Sequence, residues 1–201
     1  MKYQLGIGFN TLKSTLRFDD DAESEVDIQM NTVAVSGGVS INTRWTMHLA
    51  LGMILNGKLN PDKGPDSEVK PGGFASIGFE YSALTGNRYK PYLDLSVTLG
   101  ASITETENSV DKSKTKYMST DLRFGARGSW NYKNRVFPFT AVRVFGGPVM
   151  WEINGKDVTG SDIYHYMMSV GSAFKFGSMV LSLEWAGLGE RSLKVGLSKG
   201  W

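Results

Sequence analysis

The chain has 201 residues, 24 of them glycine, 6 proline and none cysteine, with a formal net charge of +2. That length suits one domain, residues 1–201, with a full core. So small a charge, without a basic cluster, excludes nucleic acid as an electrostatic partner. No run approaches the roughly 18 apolar residues of a transmembrane helix, which leaves a strand-built membrane protein open. Met1-Lys2-Tyr3 runs straight into strand-like sequence, so the reading is a mature chain without its signal peptide.

From there a period of two repeats to the end. Tyr3, Leu5, Ile7 and Phe9 alternate with Gln4, Gly6 and Gly8. Val33, Val35, Val39 and Ile41 follow, then Trp45, Met47, Leu49, Leu51, Met53 and Leu55. Ala75, Ile77, Phe79 and Tyr81 form the next row, and Leu93, Leu95, Val97, Leu99 and Ile103 the one after. Leu122, Phe124, Ala126 and Trp130 make a sixth strand, and Val142 and Val144 mark a seventh from about Val136 to Trp151. Tyr164 to Phe176, Met179 to Trp185 and Leu193 to Trp201 complete ten.

Short connections at Asn42-Thr43-Arg44, Thr85-Gly86-Asn87, Asn131 to Arg135 and Gly177-Ser178 alternate with longer polar ones. The longer set is Asp19 to Glu25, Asn56 to Gly72, Glu105 to Lys116 and Glu152 to Asp162, with Gly187 to Arg191 brief. Tight periplasmic turns and longer external loops, with an even strand count, are the pattern of outer-membrane barrels. The polar rows are mostly Gly, Ser, Ala and Thr, which suit a crowded interior. The large apolar rows suit a convex surface in lipid.

Aromatics add a second sign. Tyr3, Trp45, Tyr81, Trp130, Phe176 and Trp201 fall beside the short turns, and Tyr117, Trp151, Tyr164, Tyr166 and Trp185 near the longer loops, as two interfacial girdles would. The expected fold is therefore all-β, a closed antiparallel up-and-down transmembrane barrel of about ten strands, with eight as the alternative. Two places strain it. Val26, Ile28 and Met30 have the opposite parity from Val33 and Val35, so a bulge or an exit from the membrane is needed near Asn31-Thr32. Placing Arg143 inside also places Phe137, Phe139 and Phe145 inside, but an arginine facing lipid would cost roughly 2–4 kcal/mol.

The closing run Leu193-Lys194-Val195-Gly196-Leu197-Ser198-Lys199-Gly200-Trp201 resembles the C-terminal strand of bacterial outer-membrane proteins. In that family an alternating apolar row ends in an aromatic, more often Phe than Trp, read by the barrel-assembly machinery. The resemblance implies a Gram-negative outer membrane with its lipid and lipopolysaccharide, and assisted insertion through the strand ending at Trp201.

Glu80, Asp94, Arg127 and Lys175 are expected inside near the periplasmic end, and Asp121, Arg123, Arg143, Glu184 and Lys194 in the middle or outer half. These charges would either form salt bridges that fill the lumen, giving a non-conducting structural or accessory barrel, or line a narrow porin-like channel for ions or small solutes. The channel is the favoured expectation, with no catalytic residues, no cofactor and no metal. External loops that bind cells or matrix would make it an adhesin, but they hold few exposed aromatic anchors. Omptin proteases, also ten-stranded, carry acidic and His–Asp pairs, and Asp19-Asp20-Asp21 with Asp162 and His165 invite comparison, but the chain is short for that family. His165 and Ser169 do not match the spacing of outer-membrane lipid A deacylases. His48 is expected to be packed or hydrogen-bonded inside. Asp19, Asp20, Asp21, Glu23 and Glu25 read as a solvated loop more than a Ca²⁺ site.

Overall fold

Alternating rows of large apolar and small polar residues can satisfy every backbone group in lipid only by closing into a ring. The structure, a computed structural model, describes residues 2–19, 25–62, 64–87, 89–153 and 156–201. Its strands are β1 (Tyr3–Phe18), β2 (Glu25–Ser40), β3 (Trp45–Pro61), β4 (Ser67–Val69), β5 (Gly72–Leu84), β6 (Tyr92–Asn108), β7 (Lys114–Ser129), β8 (Val136–Gly146), β9 (Val149–Ile153), β10 (Lys156–Asp162), β11 (Tyr166–Phe176), β12 (Met179–Gly189) and β13 (Arg191–Gly200). Ten of them close an antiparallel ring in the order β1, β2, β3, β5, β6, β7, β8, β11, β12, β13. Closure runs through β1 and β13, where Ile7 faces Leu197, and the last residue joins it as Tyr3 N donates to Trp201 O at 3.0 Å.

A smaller ring stands on the first. β1, β2, β3, β6 and β7 run 16 or 17 residues, whereas β11, β12 and β13 run only 10 or 11. Above the short strands the β9–β10 hairpin crosses over and pairs with the top of β1, Leu16 facing Asp162 and Phe18 facing Gly160. β9 also pairs with β7 (Tyr117 facing Trp151), and β4 bridges β3 and β6. Eight strands thus close an upper ring over the ten-stranded lower one.

The two rings have opposite amphipathicity. In β2 the even residues face inward throughout: Thr32, Ala34 and Ser36 line the lumen, and Val26, Ile28 and Met30 are buried above them. The outward row changes from Val35 and Val33 to Asn31, Gln29, Asp27 and Glu25. β2 therefore leaves the membrane near Asn31 without changing parity. The expected bulge exists, but Leu55 on the neighbouring strand carries it, since Asn31 faces Asn56 and Thr32 faces Ile54. That extra residue turns Leu59 into the upper interior, where it is fully buried.

Outside the lower ring, Leu5, Ile7, Val35, Leu49, Leu51, Met53, Leu99, Phe124, Val170 and Leu193 are all exposed. A continuous apolar surface of this kind needs lipid. From Trp45 to Leu55 the strand rises about 34 Å, or about 26 Å along the axis at a tilt near 40°, the height of an outer-membrane apolar band.

Several stretches expected as loops are strand: β3 extends to Pro61, β4 lies between Asn56 and Gly72, β6 and β7 extend to Asn108 and from Lys114, and β10 occupies Lys156–Asp162. They looked like loops because their polar rows face water. Lys70 there bridges Glu68 and Glu107 at 3.2 Å each, and its hydrogen bond holds the Glu68 carboxyl below the usual range.

Candidate functional site

The inward rows of the lower ring enclose a cavity of about 640 Å³. One wall, on β1, β2, β5 and β6, is built from Gly6, Gly8, Ala34, Ser36, Ser76, Ser96, Thr98 and Gly100. Small residues here leave the space open. The opposite wall, on β7, β8, β12 and β13, carries the charges.

Those charges form paired layers. Highest, Arg123 donates from both terminal nitrogens to Glu190 at 2.8 Å each, and from Nε to Asp121. Glu190 is 2% exposed. Its place depends on Gly189, whose positive φ (+71°) makes the tight turn into β13; an added Cβ would lie 1.9 Å from the Tyr166 carbonyl oxygen. Below, Arg143 binds Glu184 through both terminal nitrogens, and the Ser169 hydroxyl donates to the same carboxylate at 2.6 Å. Arg127 stacks over Phe139 (3.8 Å to the ring centre) and Arg123 over Phe145 (4.5 Å). Inward phenylalanines thus serve as cation–π partners for the arginines. Near the periplasmic end Asp94, His48 and Arg127 lie within electrostatic reach of Glu80, and Ser82 donates to Asp94 at 2.8 Å.

A roof closes the cavity on the external side. Leu16, Phe18, Val26, Ile28, Met30, Ile54, Leu59, Val69, Tyr117, Val149 and Trp151 pack there as one buried cluster inside the upper ring. Phe18 and Trp151 meet with ring centres 5.7 Å apart, and the Trp151 indole N–H donates to Thr106 Oγ1 at 2.9 Å. At the periplasmic rim the cavity reaches Gln4, whose amide donates to Ser198 Oγ at 2.8 Å.

No known protein family matches the chain, and no curated protein does. Among solved structures it is similar to the outer membrane protease OmpT from Escherichia coli, with a TM-score of 0.59 and 11% identity over 100% of this chain and 96% of that one. It is also similar to the outer membrane protein OprG from Pseudomonas aeruginosa, at TM-score 0.51 and 11% identity over 100% and 95% of the two chains. The chain has the fold of a bacterial outer-membrane β-barrel. At such identity the likeness concerns the fold and carries no chemistry.

Within this barrel, Asp121, Arg123, Arg127, Arg143, Glu184 and Lys194 line the cavity. Glu80 and Asp94 face inward below it, and Lys175 stands exposed at the rim. Trp151 and Tyr117 correct the girdle: both are buried in the roof, at 6% and 3% exposure, because they lie on inward rows, sharing parity with Arg143 and Arg123. Tyr3, Trp45, Trp130 and Trp201 are exposed at the periplasmic end and Tyr164, Tyr166 and Trp185 near the other, while Tyr81 is half-buried against Trp45 (4.9 Å).

Asp162 and His165 do not form a pair. Asp162 accepts from Ser14, and the exposed His165 side chain makes no hydrogen bond among the described residues. Ser169 is committed to Glu184. His48 packs against Gly38, and its Nε2 is buried without a hydrogen bond. Of the acidic loop, residues 20–24 lie outside the described residues, and Glu25 pairs with Arg17 at 2.6 Å. Sequence reasoning missed Glu190, although its even parity matches Ser192, Lys194 and Gly196, the inward row of β13.

Proposed function

We propose that the protein is an outer-membrane barrel closed on its external side, whose lumen is a blind chamber facing the periplasm. One observation carries this reading: the apolar roof spanning the upper ring. An ion would have to shed its water to cross between Phe18, Ile54, Tyr117 and Trp151, and an uncompensated charge in such surroundings costs several kcal/mol. Arg123 and Arg143, expected to line a pore, instead hold carboxylates, while Arg127 stacks on Phe139. Insertion through the strand ending at Trp201, in contact with lipid and lipopolysaccharide, belongs to the same proposal.

Planar-bilayer recording of the refolded protein tests it. The native barrel should be silent, and Phe18→Ala combined with Trp151→Ala should give discrete conductance steps. Steps from the native protein, with an ion preference that shifts in Arg123→Ala and Arg143→Ala, would overturn the closed reading in favour of a narrow charged channel.

A further inference from the structure

The carboxylates around the chamber are all engaged. Glu190 and Asp121 are held by Arg123, Glu184 by Arg143 and Ser169, and Asp162 by Ser14. Two lining cations are exceptions: Arg127, which stacks on Phe139, and Lys194, which has no such contact. The Lys194 side chain has no hydrogen bond and no ion pair within 4 Å among the described residues, and it lies within electrostatic reach of two further cations, Arg123 and Arg143. Glu184 and Glu190 lie within electrostatic reach of it as well, but neither bonds it directly. Glu184 turns its carboxylate toward Arg143, and Asn10 Oδ1 is buried without a hydrogen bond.

A half-buried ammonium with no direct acceptor gains from a negative group brought to it. The chamber has room for such a group: about 640 Å³ lies in the usual range for small-ligand pockets. Its surface is also divided. Lys194 and the serine- and glycine-rich wall are polar, whereas Leu16, Ile28, Met30, Ile54 and Val149 make its ceiling apolar.

We propose that the chamber binds a small organic anion with an apolar portion, its acidic group at Lys194 and its apolar part beneath the roof. Access is from the periplasmic rim past Gln4 and Ser36. This goes beyond the closed-barrel reading and does not require the barrel to be non-conducting.

Equilibrium dialysis of the barrel in nanodiscs tests the proposal, with 2-naphthoate as the probe, 2-naphthamide as its neutral counterpart and empty nanodiscs as background. Saturable retention of naphthoate with a Kd below about 1 mM is expected, with the amide retained no better than by empty discs. Lys194→Met should weaken naphthoate binding about tenfold or more, the loss of a hydrogen bond to a charged group. Ser36→Phe, which fills the rim from the other wall, should weaken it also and carries the test if Lys194→Met does not fold, judged by its strand spectrum and heat-modifiable gel migration. Retention equal to empty discs, equal retention of acid and amide, or retention unchanged in the folded variants would overturn the proposal.

Discussion

Replacing Val35 by lysine puts a charge on the outer surface of β2 between Ile7 and Leu51, its partners on either side. All three side chains are exposed apolar residues, so the ammonium would face lipid near mid-membrane at a cost of roughly 2–4 kcal/mol. Gln29 faces outward on the same strand, six residues higher. Six residues rise about 20 Å, or about 16 Å along the normal at a 40° tilt, beyond the half-height of an apolar band about 25 Å tall. Its partners are Lys13 and Lys58, both exposed cations, which places this level in water. Gln29→Lys should therefore cost under about 1 kcal/mol, mainly as repulsion between like charges. Urea titration of each variant refolded into phosphatidylcholine vesicles, followed by tryptophan fluorescence, reads the difference as a shift in midpoint at constant slope. Equal destabilisation by the two lysines would refute the placement of the membrane boundary at Asn31, and with it the reversal of amphipathicity between the rings.

Two further predictions concern the charged wall. Arg123→Met strands Asp121 and Glu190 together and should cost about 3–5 kcal/mol; Glu190→Gln leaves Arg123 its Asp121 partner and should cost about 1–3 kcal/mol. Similar urea midpoints for the two variants would mean that Arg123 is not the shared cation of that layer. Asp162 belongs to the upper ring above the membrane, where burial pushes its carboxyl up to about 6 despite the Ser14 hydrogen bond, from an ordinary value of 3.8. The folded state then holds that proton more tightly, so stability is fully present below about pH 4 and falls as pH rises through 6, by up to about 3 kcal/mol. Asp162→Asn should flatten unfolding free energy across that window; an unchanged slope would assign the pH dependence to another group.

The lower ring was legible because lipid outside and small residues inside impose one pattern on every strand, and parity alone placed Arg123, Arg127 and Arg143 on the inner wall. Arg143 even predicted the inward Phe139 and Phe145, now seen beneath Arg127 and Arg123. The upper ring was not legible for the converse reason. Glu25, Asp27, Lys58, Glu105, Lys114 and Lys116 alternate with buried residues there, but polar rows between short apolar ones read as loop when the eye is set for a lipid-facing surface. Tyr117 shares parity with Asp121 and Arg123, so its inward direction was available from the sequence. Trp151 likewise keeps the odd parity of Arg143 and Phe145, which the break at Gly147 and Pro148 between β8 and β9 does not shift. The Arg123–Glu190 pair, 67 residues apart in sequence, depends on a turn whose geometry no periodicity announces.

Stacking eight strands on ten explains why one chain carries both a hydrated chamber and a dry roof. The interior of a ten-stranded ring is wider than side chains of glycine and serine can fill, whereas eight strands enclose a space that side chains fill completely. Losing two strands at the crossover of β9–β10 therefore turns the lumen from open to packed within the height of a few residues. The cluster of Phe18, Tyr117 and Trp151 follows from that narrowing, because once the outer surface meets water the apolar residues have only the inside to occupy. The charged layers sit just beneath the change, where Arg123 and Glu190 border the cavity and Phe145, packed with Met167 and Ala186, backs Arg123. The β9–β10 hairpin is the element that makes this narrowing. That hairpin forms one side of the upper ring and is held to β1 by the short ladder from Leu16 to Phe18.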